Sequence, residues 1–226
     1  MRGCFVTGTD TGVGKTVVAA AIVASLRARG VSARALKPVI TGLDEPSDPD
    51  WPPDHELLAR AAGCSSDEVN LIAYGPAVSP HLAAALADRP VDVDELRSAV
   101  KAAAGAVDAL VVEGVGGLLV PLSETYDVRD FARDIGLPTV IAARPGLGTI
   151  NHTRLTLEAA RAVGLQVLGV VMTPWPAEPH ALERSNRETI ERLGGVSVAT
   201  LPRIARADPQ LLAAAGRSLP VQDWLG

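Results

Sequence analysis

The 226-residue sequence has only two cysteines, three lysines and no long apolar or basic run. Cys4 and Cys64 are too few for a disulfide framework, and their spacing suggests no metal site. No apolar stretch reaches the ~18 residues that a membrane-spanning helix requires. The N-terminal segment meets glycine and aspartate before the apolar core of a signal peptide could form. These absences predict a cytoplasmic protein with no membrane partner.

The charge balance excludes a further class of partner. Lys and Arg together number 21 against 26 Asp and Glu, which gives a net charge of -5. An acidic chain without a basic run is a poor candidate for nucleic-acid binding. Hydrophobic residues make up 47% of the sequence, enough to build a large buried core. The length fits a single domain over residues 1–226.

Lysine is scarce even among the basic residues. Eighteen of the 21 are arginine, and the three lysines are Lys15, Lys37 and Lys101. Because arginine serves here as the general surface cation, a lysine indicates a position where a compact ammonium on a flexible stem matters. This singles out Lys15 and Lys37 before any motif is considered.

Short apolar runs alternate with segments of helical periodicity along most of the chain. The predicted strands are residues 4–7, 33–39, 109–113, 138–143, 167–172 and 196–201, and the predicted helices are 16–29, 54–62, 91–104, 128–135, 151–163 and 179–193. Strands that are apolar throughout and separated by helices favour an α/β fold, a mostly parallel sheet with helices on both faces. Ligands of such sheets bind outside the carboxyl ends of the strands. The polar, proline-rich residues 43–53 are predicted to form a surface loop able to order around a ligand.

The strongest motif is GTDTGVGKT, residues 8–16, which follows the first strand and opens the first helix. Backbone amides of such a P-loop and the helix N-terminus face phosphate oxygens. Lys15 would reach the β- and γ-phosphates, and the Thr16 hydroxyl would bind Mg²⁺. The strict pattern has glycine where this chain has Thr9, so the match is to a variant. A glycine-rich turn without a ligand is the alternative, but the strand–loop–helix context favours a P-loop NTPase-like protein.

A second motif, LVVEGVGG, occupies residues 110–117. It places the Glu113 carboxylate at the end of an apolar strand, where P-loop proteins hold an acid for Mg²⁺. Gly114, Gly116 and Gly117 let the backbone approach a ligand closely. A strand followed by a glycine turn is common, so it is the nearby P-loop that favours a metal role for Glu113.

Three further positions admit two interpretations each. Lys37 follows the second predicted strand at the same sheet edge as Lys15, and it is either a solvated strand end or a functional ammonium. Asp54 begins a predicted helix, so an N-cap role explains it as well as a ligand role does. Residues 145–152, PGLGTINH, run from a strand end into a helix N-terminus. They form either a plain connection or a site for an anionic group.

The motifs GTDTGVGKT, LKPVITG, DHELLAR, SPHLA, VEGVGG and GTINHTRLT follow one another in an order that resembles the dethiobiotin synthase family over nearly the whole chain. The resemblance implies an ATP-dependent ligase that joins 7,8-diaminononanoate and CO2 into a cyclic urea, releasing ADP and phosphate. It also implies a carbamate and a carbamic–phosphoric mixed anhydride as intermediates. A symmetric homodimer is expected, with the second subunit completing the substrate site.

The resemblance also assigns residues. The implied Mg²⁺ ligands are Thr16, Asp54 and Glu113, and the implied catalytic residues are Lys15 and Lys37. Nucleotide-binding residues are expected to be Gly12, Val13, Gly14, Lys15, Thr16, Val17, Asp54, Glu113, Gly114, Val115 and Gly116, with Thr173, Pro174, Pro202, Arg203 and Ile204 on the side of the base. Substrate contacts are expected from Thr41, Gly117, Leu147, Gly148, Ile150 and Asn151.

One segment departs from the family pattern. Thr173 and Pro174 lie where the family carries an asparagine that bonds the adenine base. Proline has no N–H to donate, and a threonine hydroxyl cannot copy the paired donor and acceptor of an amide. We therefore expect nucleoside triphosphates other than ATP to be accepted to some extent.

Three other classes share parts of this pattern. Partition-type or septum-positioning switch ATPases carry a signature lysine five residues before the P-loop lysine, and this chain has Asp10 there, whose charge would repel phosphates. Cobyrinate-type amidoligases add a glutaminase domain with a nucleophilic cysteine, for which this chain has no room. A generic small-molecule kinase would require the LKPVITG and VEGVGG matches to be accidental.

Overall fold

The computed structural model describes residues 2–46 and 51–225. Its strands are β1 (Gly3–Gly8), β2 (Ala33–Leu36), β3 (Val39–Ile40), β4 (Ile72–Ala73), β5 (Ala109–Gly117), β6 (Thr139–Ala143), β7 (Val167–Trp175) and β8 (Val198–Pro202). Its helices are α1 (Lys15–Arg27), α2 (Asp54–Ala62), α3 (Pro80–Leu86), α4 (Val93–Gly105), α5 (Val128–Ile135), α6 (Thr149–Ala162), α7 (Ala181–Gly194), α8 (Pro209–Gly216) and α9 (Val221–Leu225). No helix in these ranges is long and apolar enough to cross a membrane.

Six strands form one parallel sheet in the order β2-β5-β1-β6-β7-β8, which confirms the predicted fold class. β1 lies between β5 and β6, and all six of its residues are buried. Because the strands are parallel, the carboxyl ends of β1, β2 and β5 meet at one edge of the sheet. That edge therefore brings together the P-loop, Lys37 and Glu113.

Both faces of the sheet are covered by helices. Successive strand residues point to opposite faces, so Cys4 packs in one core with α1, α2 and α8, while Phe5 packs in the other with α4 and α5. The Phe5 ring meets Phe131 of α5 edge to face, with 6.2 Å between the ring centroids. Cys4 is fully buried as predicted, and this burial raises the pKa of its thiol to about 12.

The prediction of one strand over residues 33–39 is wrong. The pairing of this segment with the six-stranded sheet ends at Leu36. β3 pairs instead with β4 in a separate two-stranded parallel sheet. Pro38 has no N–H for a sheet ladder, and the amide of Lys37 donates to the Val69 carbonyl at 2.8 Å. As a result, Lys37 sits in the break between two sheets rather than inside a strand.

Several elements lie where none was predicted. α3, β4, α8 and α9 fall in segments for which no element is predicted, and β5 and β7 run four and three residues beyond their predicted ends. α8 had a local signal, because the Asp208 side chain caps it by accepting from the amides of Gln210 and Leu211. In the predicted loop, residues 43–46 and 51–53 form neither helix nor strand, and residues 47–50 lie outside the described part.

Two helix-terminal glycines give opposite expectations for alanine substitution. A Cβ at Gly216 would meet the Ala21 carbonyl oxygen of α1 at 2.3 Å, whereas a Cβ at Gly105 would meet nothing within 4 Å. Gly216→Ala is therefore expected to destabilise the fold by about 1–3 kcal/mol through overpacking. Gly105→Ala is expected to be neutral or to stabilise it by up to about 1 kcal/mol. Urea unfolding of both variants tests this pair, and equal unfolding midpoints would contradict it.

Candidate active site

A cleft of about 560 Å³ opens at the carboxyl ends of β1, β2 and β5. Eleven of the predicted site residues line it: Gly12, Gly14, Lys15, Thr16, Val17, Lys37, Thr41, Asp54, Glu113, Val115 and Gly116. The topology explains this assembly, because most of these residues follow or end β1, β2 or β5, or begin a helix, while Thr41 follows β3 of the two-stranded sheet. The cleft therefore combines the two sequence motifs and both singled-out lysines.

The phosphate-binding loop is shaped by two glycines with positive φ. Gly12 has φ 68° and Gly14 has φ 93°, a region that side-chain-bearing residues rarely adopt. Gly14 precedes α1, and a Cβ there would lie 2.7 Å from the Thr173 methyl carbon of β7. The glycine is thus required both by backbone conformation and by packing. This loop leads directly into α1, whose N-terminal amides and dipole favour an anionic ligand.

Four polar side chains form one cluster on the floor of the cleft. The Lys37 Nζ donates to Glu113 Oε1 at 2.8 Å and also to Asp54 Oδ2. The Thr16 hydroxyl donates to the same Glu113 Oε1 at 2.9 Å. Lys15 lies beside this cluster, and its Nζ donates to the Asp10 carbonyl at 3.0 Å. Glu113 is 1% exposed, so this carboxylate is held almost entirely by protein groups.

The two lysines of the cleft have opposite pKa shifts. Burial lowers the pKa of Lys15, and the Glu113 carboxylate only partly opposes this effect. Burial alone would also lower the pKa of Lys37, but the carboxylates of Glu113 and Asp54 outweigh it and raise that pKa. Lys37 therefore stays protonated and keeps its positive charge. Lys15 is the more easily deprotonated of the two amines.

The carboxylates also differ. Burial raises the pKa of Glu113 above its ordinary value, although Lys37 opposes the shift. For Asp54, whose side chain is about half exposed at 49%, loss of hydration is outweighed by the ammonium of Lys37, which lowers the pKa. Lys37 acts on both carboxylates: it outweighs the effect of burial on the pKa of Asp54 but not on the pKa of Glu113. The cluster therefore behaves electrostatically as one unit.

The N-cap interpretation of Asp54 is wrong. Asp54 is the first residue of α2, Pro53 occupies the cap position, and this cap makes no side-chain hydrogen bond. Freed from capping, the Asp54 carboxylate reaches Lys37 in the cleft. Of the two interpretations of this residue, the geometry favours the one at the site.

The oxygen atoms of the cluster suit a hard divalent cation. Glu113 Oε2 is buried and has no hydrogen-bond partner among the described residues. Such an oxygen is costly unless a donor or a cation satisfies it. Thr16, Asp54 and Glu113 offer one hydroxyl and two carboxylates, the oxygen ligands that Mg²⁺ prefers. The described part of the chain holds no group of three His, Cys, Asp or Glu side chains placed for a metal. A Mg²⁺ ion bound with a nucleotide takes only one or two carboxylates from the protein, because phosphates and water complete its coordination shell.

The remaining predicted residues lie outside this cleft. Val13 is buried beneath the loop, Gly114 packs against Phe5, and Gly117 borders a neighbouring groove. Other residues stand at the start of α6 or at the ends of β7 and β8: Leu147, Gly148, Ile150, Asn151, Thr173, Pro174, Pro202, Arg203 and Ile204. None of these nine residues lines the main cleft. Their ligand roles stay predictions.

Further residues line the cleft to which the sequence motifs assign no role. The cleft is also lined by Thr11, Trp51, Pro52, Leu57, Ala77, Val78, Ser79, Pro80 and Val120. Ser79 and Pro80 belong to the SPHLA motif, which is part of the family resemblance but has no ligand contact assigned to it. Trp51 and Pro52 end the loop that was predicted to order around a ligand, so that loop does reach the cleft. The sequence around Leu57 predicts a helix and gives no indication that this residue lines a cleft.

Comparison with known proteins extends the similarity to most of the chain. A family model described as an AAA domain matches residues 2–210. An ATP-dependent dethiobiotin synthetase from Haloferax mediterranei is 38% identical over 97% of this chain and 92% of its own length. One from Anaeromyxobacter dehalogenans is 43% identical over 85% of this chain and 86% of its own length.

A solved structure supports the fold independently of the sequence. The ParA family ATPase from Chlorobium tepidum superposes with a TM-score of 0.55 at 13% identity, covering 98% of this chain and 93% of that one. At this identity the likeness shows the P-loop NTPase fold alone. The reaction has to be argued from the cleft and from the more similar relatives.

Proposed function

The chain belongs to the family of ATP-dependent dethiobiotin synthetases, and from that premise we propose that its cleft forms dethiobiotin from 7,8-diaminononanoate, CO2 and ATP. The observation that carries the proposal is the meeting of the P-loop lysine, Lys37 and Glu113 in one cleft. A nucleotide-dependent ligase needs cations around the transferring phosphate and a fixed charge for its acidic intermediate. The cleft supplies both.

The reaction divides into three steps that match these residues. One amine of the substrate adds CO2, loses a proton and becomes a carbamate, whose negative charge Lys37 stabilises. A carbamate oxygen then attacks the γ-phosphorus, forming the carbamic–phosphoric anhydride as the bond to ADP breaks, with Lys15 beside the phosphates. The second amine attacks the carbonyl carbon, phosphate leaves, a proton is released and the cyclic urea closes. This closure is intramolecular, so positioning supplies much of the rate.

The Mg²⁺ required by phosphoryl transfer would be held by Thr16, Asp54 and Glu113. When bound, it neutralises phosphate charge. The unpartnered Glu113 Oε2 and the half-exposed Asp54 carboxylate support this assignment. Lys37 keeps both carboxylates in place meanwhile, because its ammonium bonds one oxygen of each.

Nucleobase selectivity is proposed to be loose. Thr173 is 3% exposed, and its methyl group faces Gly14 beneath the loop. Pro174, which follows it, has no N–H with which to read a base. We expect kcat/KM for CTP, GTP and UTP to lie within about tenfold of the ATP value, a selectivity of at most about 1.4 kcal/mol. Steady-state kinetics with the four triphosphates measure this, and strict ATP dependence would refute it.

A homodimer is proposed for the complete site. Leu119, Leu147 and Leu155 are 57%, 92% and 60% exposed, and Leu119 and Leu155 border a groove of about 350 Å³ beside the loop. Apolar side chains exposed together in this way are typical of an interface. Light scattering at assay concentration is expected to give about twice the mass of one chain. The mass of a single chain would contradict the proposal.

The switch-ATPase alternative has the same fold but the wrong loop residue. Asp10 occupies the position of the signature lysine, and its carboxylate accepts from the Thr11 amide at 2.7 Å. A carboxylate held to its own loop supplies no cation to a partner's phosphates. This observation favours the ligase over the switch.

The direct test is phosphate release with Mg-ATP and bicarbonate, in the presence and absence of 7,8-diaminononanoate. Release that depends on the diamine is expected, together with dethiobiotin identified by mass spectrometry. Omitting bicarbonate serves as the control, because without CO2 no carbamate forms. Slow phosphate release that is indifferent to the diamine would refute the proposal and favour the switch class.

A further inference from the structure

Arg144 crosses from the end of β6 to the phosphate-binding loop. Its Nη2 donates to the Thr11 carbonyl oxygen at 2.9 Å, although the two residues are 133 positions apart. The Arg144 side chain is exposed, and it makes no ion pair within residues 2–46 and 51–225. Its one hydrogen-bonded partner in that part of the chain is therefore a loop carbonyl rather than a carboxylate.

The bond fixes the direction of one peptide unit. In a trans peptide the C=O and the following N–H point in opposite directions, so a Thr11 carbonyl turned toward Arg144 turns the Gly12 N–H away from it. Arg144 borders a small hollow together with Val13 and Asp10. Thr11 and Gly12 line the main cleft, which Arg144 does not. The Gly12 N–H is thus turned to the cleft side of the loop.

Nothing else in the described chain holds that peptide. The Gly12 amide donates to no acceptor in residues 2–46 and 51–225. With φ 68° and no side chain, Gly12 also lacks the steric restriction that would resist rotation of the Thr11–Gly12 peptide. A rotated peptide would turn its carbonyl oxygen toward the cleft, where it would repel phosphate oxygens instead of donating to them.

We propose that Arg144 is a positioning residue, which locks the Thr11–Gly12 peptide so that the Gly12 N–H faces the phosphates of the nucleotide. The inference rests on the proposed function only in requiring that this loop bind a nucleoside triphosphate. Arg144 acts through the loop, so its loss should weaken nucleotide binding while the lysines and carboxylates of the cleft stay in place.

The test compares Arg144→Ala, Arg144→Lys and the matched control Arg29→Ala. Arg29 is exposed beyond the opposite end of α1, so its substitution removes the same charge without touching the loop. For Arg144→Ala we expect the Kd of Mg-ATP by calorimetry and the KM for ATP to rise about tenfold. The KM for the diamine and kcat should change less than about threefold. Arg144→Lys should recover most of the loss, because its ammonium can still donate to the carbonyl.

Two further readouts separate positioning from charge and from stability. At 0.3 M salt a long-range charge effect would be largely screened, whereas a lost hydrogen bond leaves the weakened binding in place. The amide signal of Gly12 in an NMR spectrum should shift and broaden in Arg144→Ala but not in Arg29→Ala. A Gly12 signal and a Kd for Mg-ATP that match wild type would overturn the proposal. If instead wild type binds Mg-ATP but makes no dethiobiotin, the proposed function fails and the role of Arg144 is still decided by the Kd.

Discussion

Lys37→Arg is expected to lower kcat for dethiobiotin formation at least about 100-fold, a loss of about 2.7 kcal/mol of transition-state stabilisation. The Lys37 ammonium is 5% exposed and lies between Asp54 and Glu113, so the wider, planar guanidinium has no room to keep both contacts. The P-loop is unchanged and only the support of the metal-binding carboxylates is weakened, so the Kd of Mg-ATP should rise far less than kcat falls, by less than about tenfold. Single-turnover assays and calorimetry measure the two quantities separately.

A matched control exists for this substitution. Lys101 lies exposed on α4, so Lys101→Arg makes the same chemical change away from the cleft and should leave kcat unchanged. The comparison isolates position from residue type. Full activity of Lys37→Arg would show that the ammonium of this lysine has no part in the reaction.

Glu113→Gln is expected to lower kcat by a similar factor and also to raise the Mg²⁺ concentration that the reaction requires. The amide keeps the shape of the side chain but removes the charge from a buried group that holds Thr16 and Lys37. We expect kcat to fall at least about 100-fold, and the Mg²⁺ concentration for half-maximal activity to rise about tenfold or more. Lys37 retains Asp54 as its partner, so the fold should survive.

A Mg²⁺ titration of activity checks this expectation, and circular dichroism checks the fold. Glu188→Gln is the control, since Glu188 is exposed on α7 and makes no ion pair among the described residues. Mn²⁺ should restore part of the lost activity if ligand strength is what the substitution changed. An unchanged Mg²⁺ requirement in a folded Glu113→Gln protein would remove this glutamate from the metal site.

Local signals explain which elements could be predicted. α5 was predicted with its observed bounds, because Asp127 and Asp130 form a capping box at its start and Gly136 ends it with φ 67°. The break at Pro38 could not be predicted in the same way. The break depends on the pairing of β3 with β4, and the two residues of β4 are too few to show a periodicity that would predict a strand. Pairing between distant short strands is decided by the tertiary structure.

The site shows the same division. Lys15, Thr16 and Glu113 could be placed from the sequence, because each stands at a strand end or loop with a fixed relation to the sheet. Asp54 stayed ambiguous, since an acidic residue at a helix start suits a cap as well as a ligand. The contact of Arg144 with the loop could not be predicted. No local motif distinguishes this residue from the other arginines, and its partner, Thr11, is 133 positions away in the sequence.

The scarcity of lysine makes the folded protein selective toward amine-reactive reagents. Lys101 is exposed on α4, whereas Lys15 and Lys37 are 6% and 5% exposed inside the cleft. An acylating reagent or a surface coupling should therefore modify the Lys101 side chain before the other two. Immobilisation through Lys101 would leave the cleft open to solution. Between the cleft lysines, Lys15 should acylate before Lys37, whose amine stays protonated, and a bound nucleotide should shield Lys15.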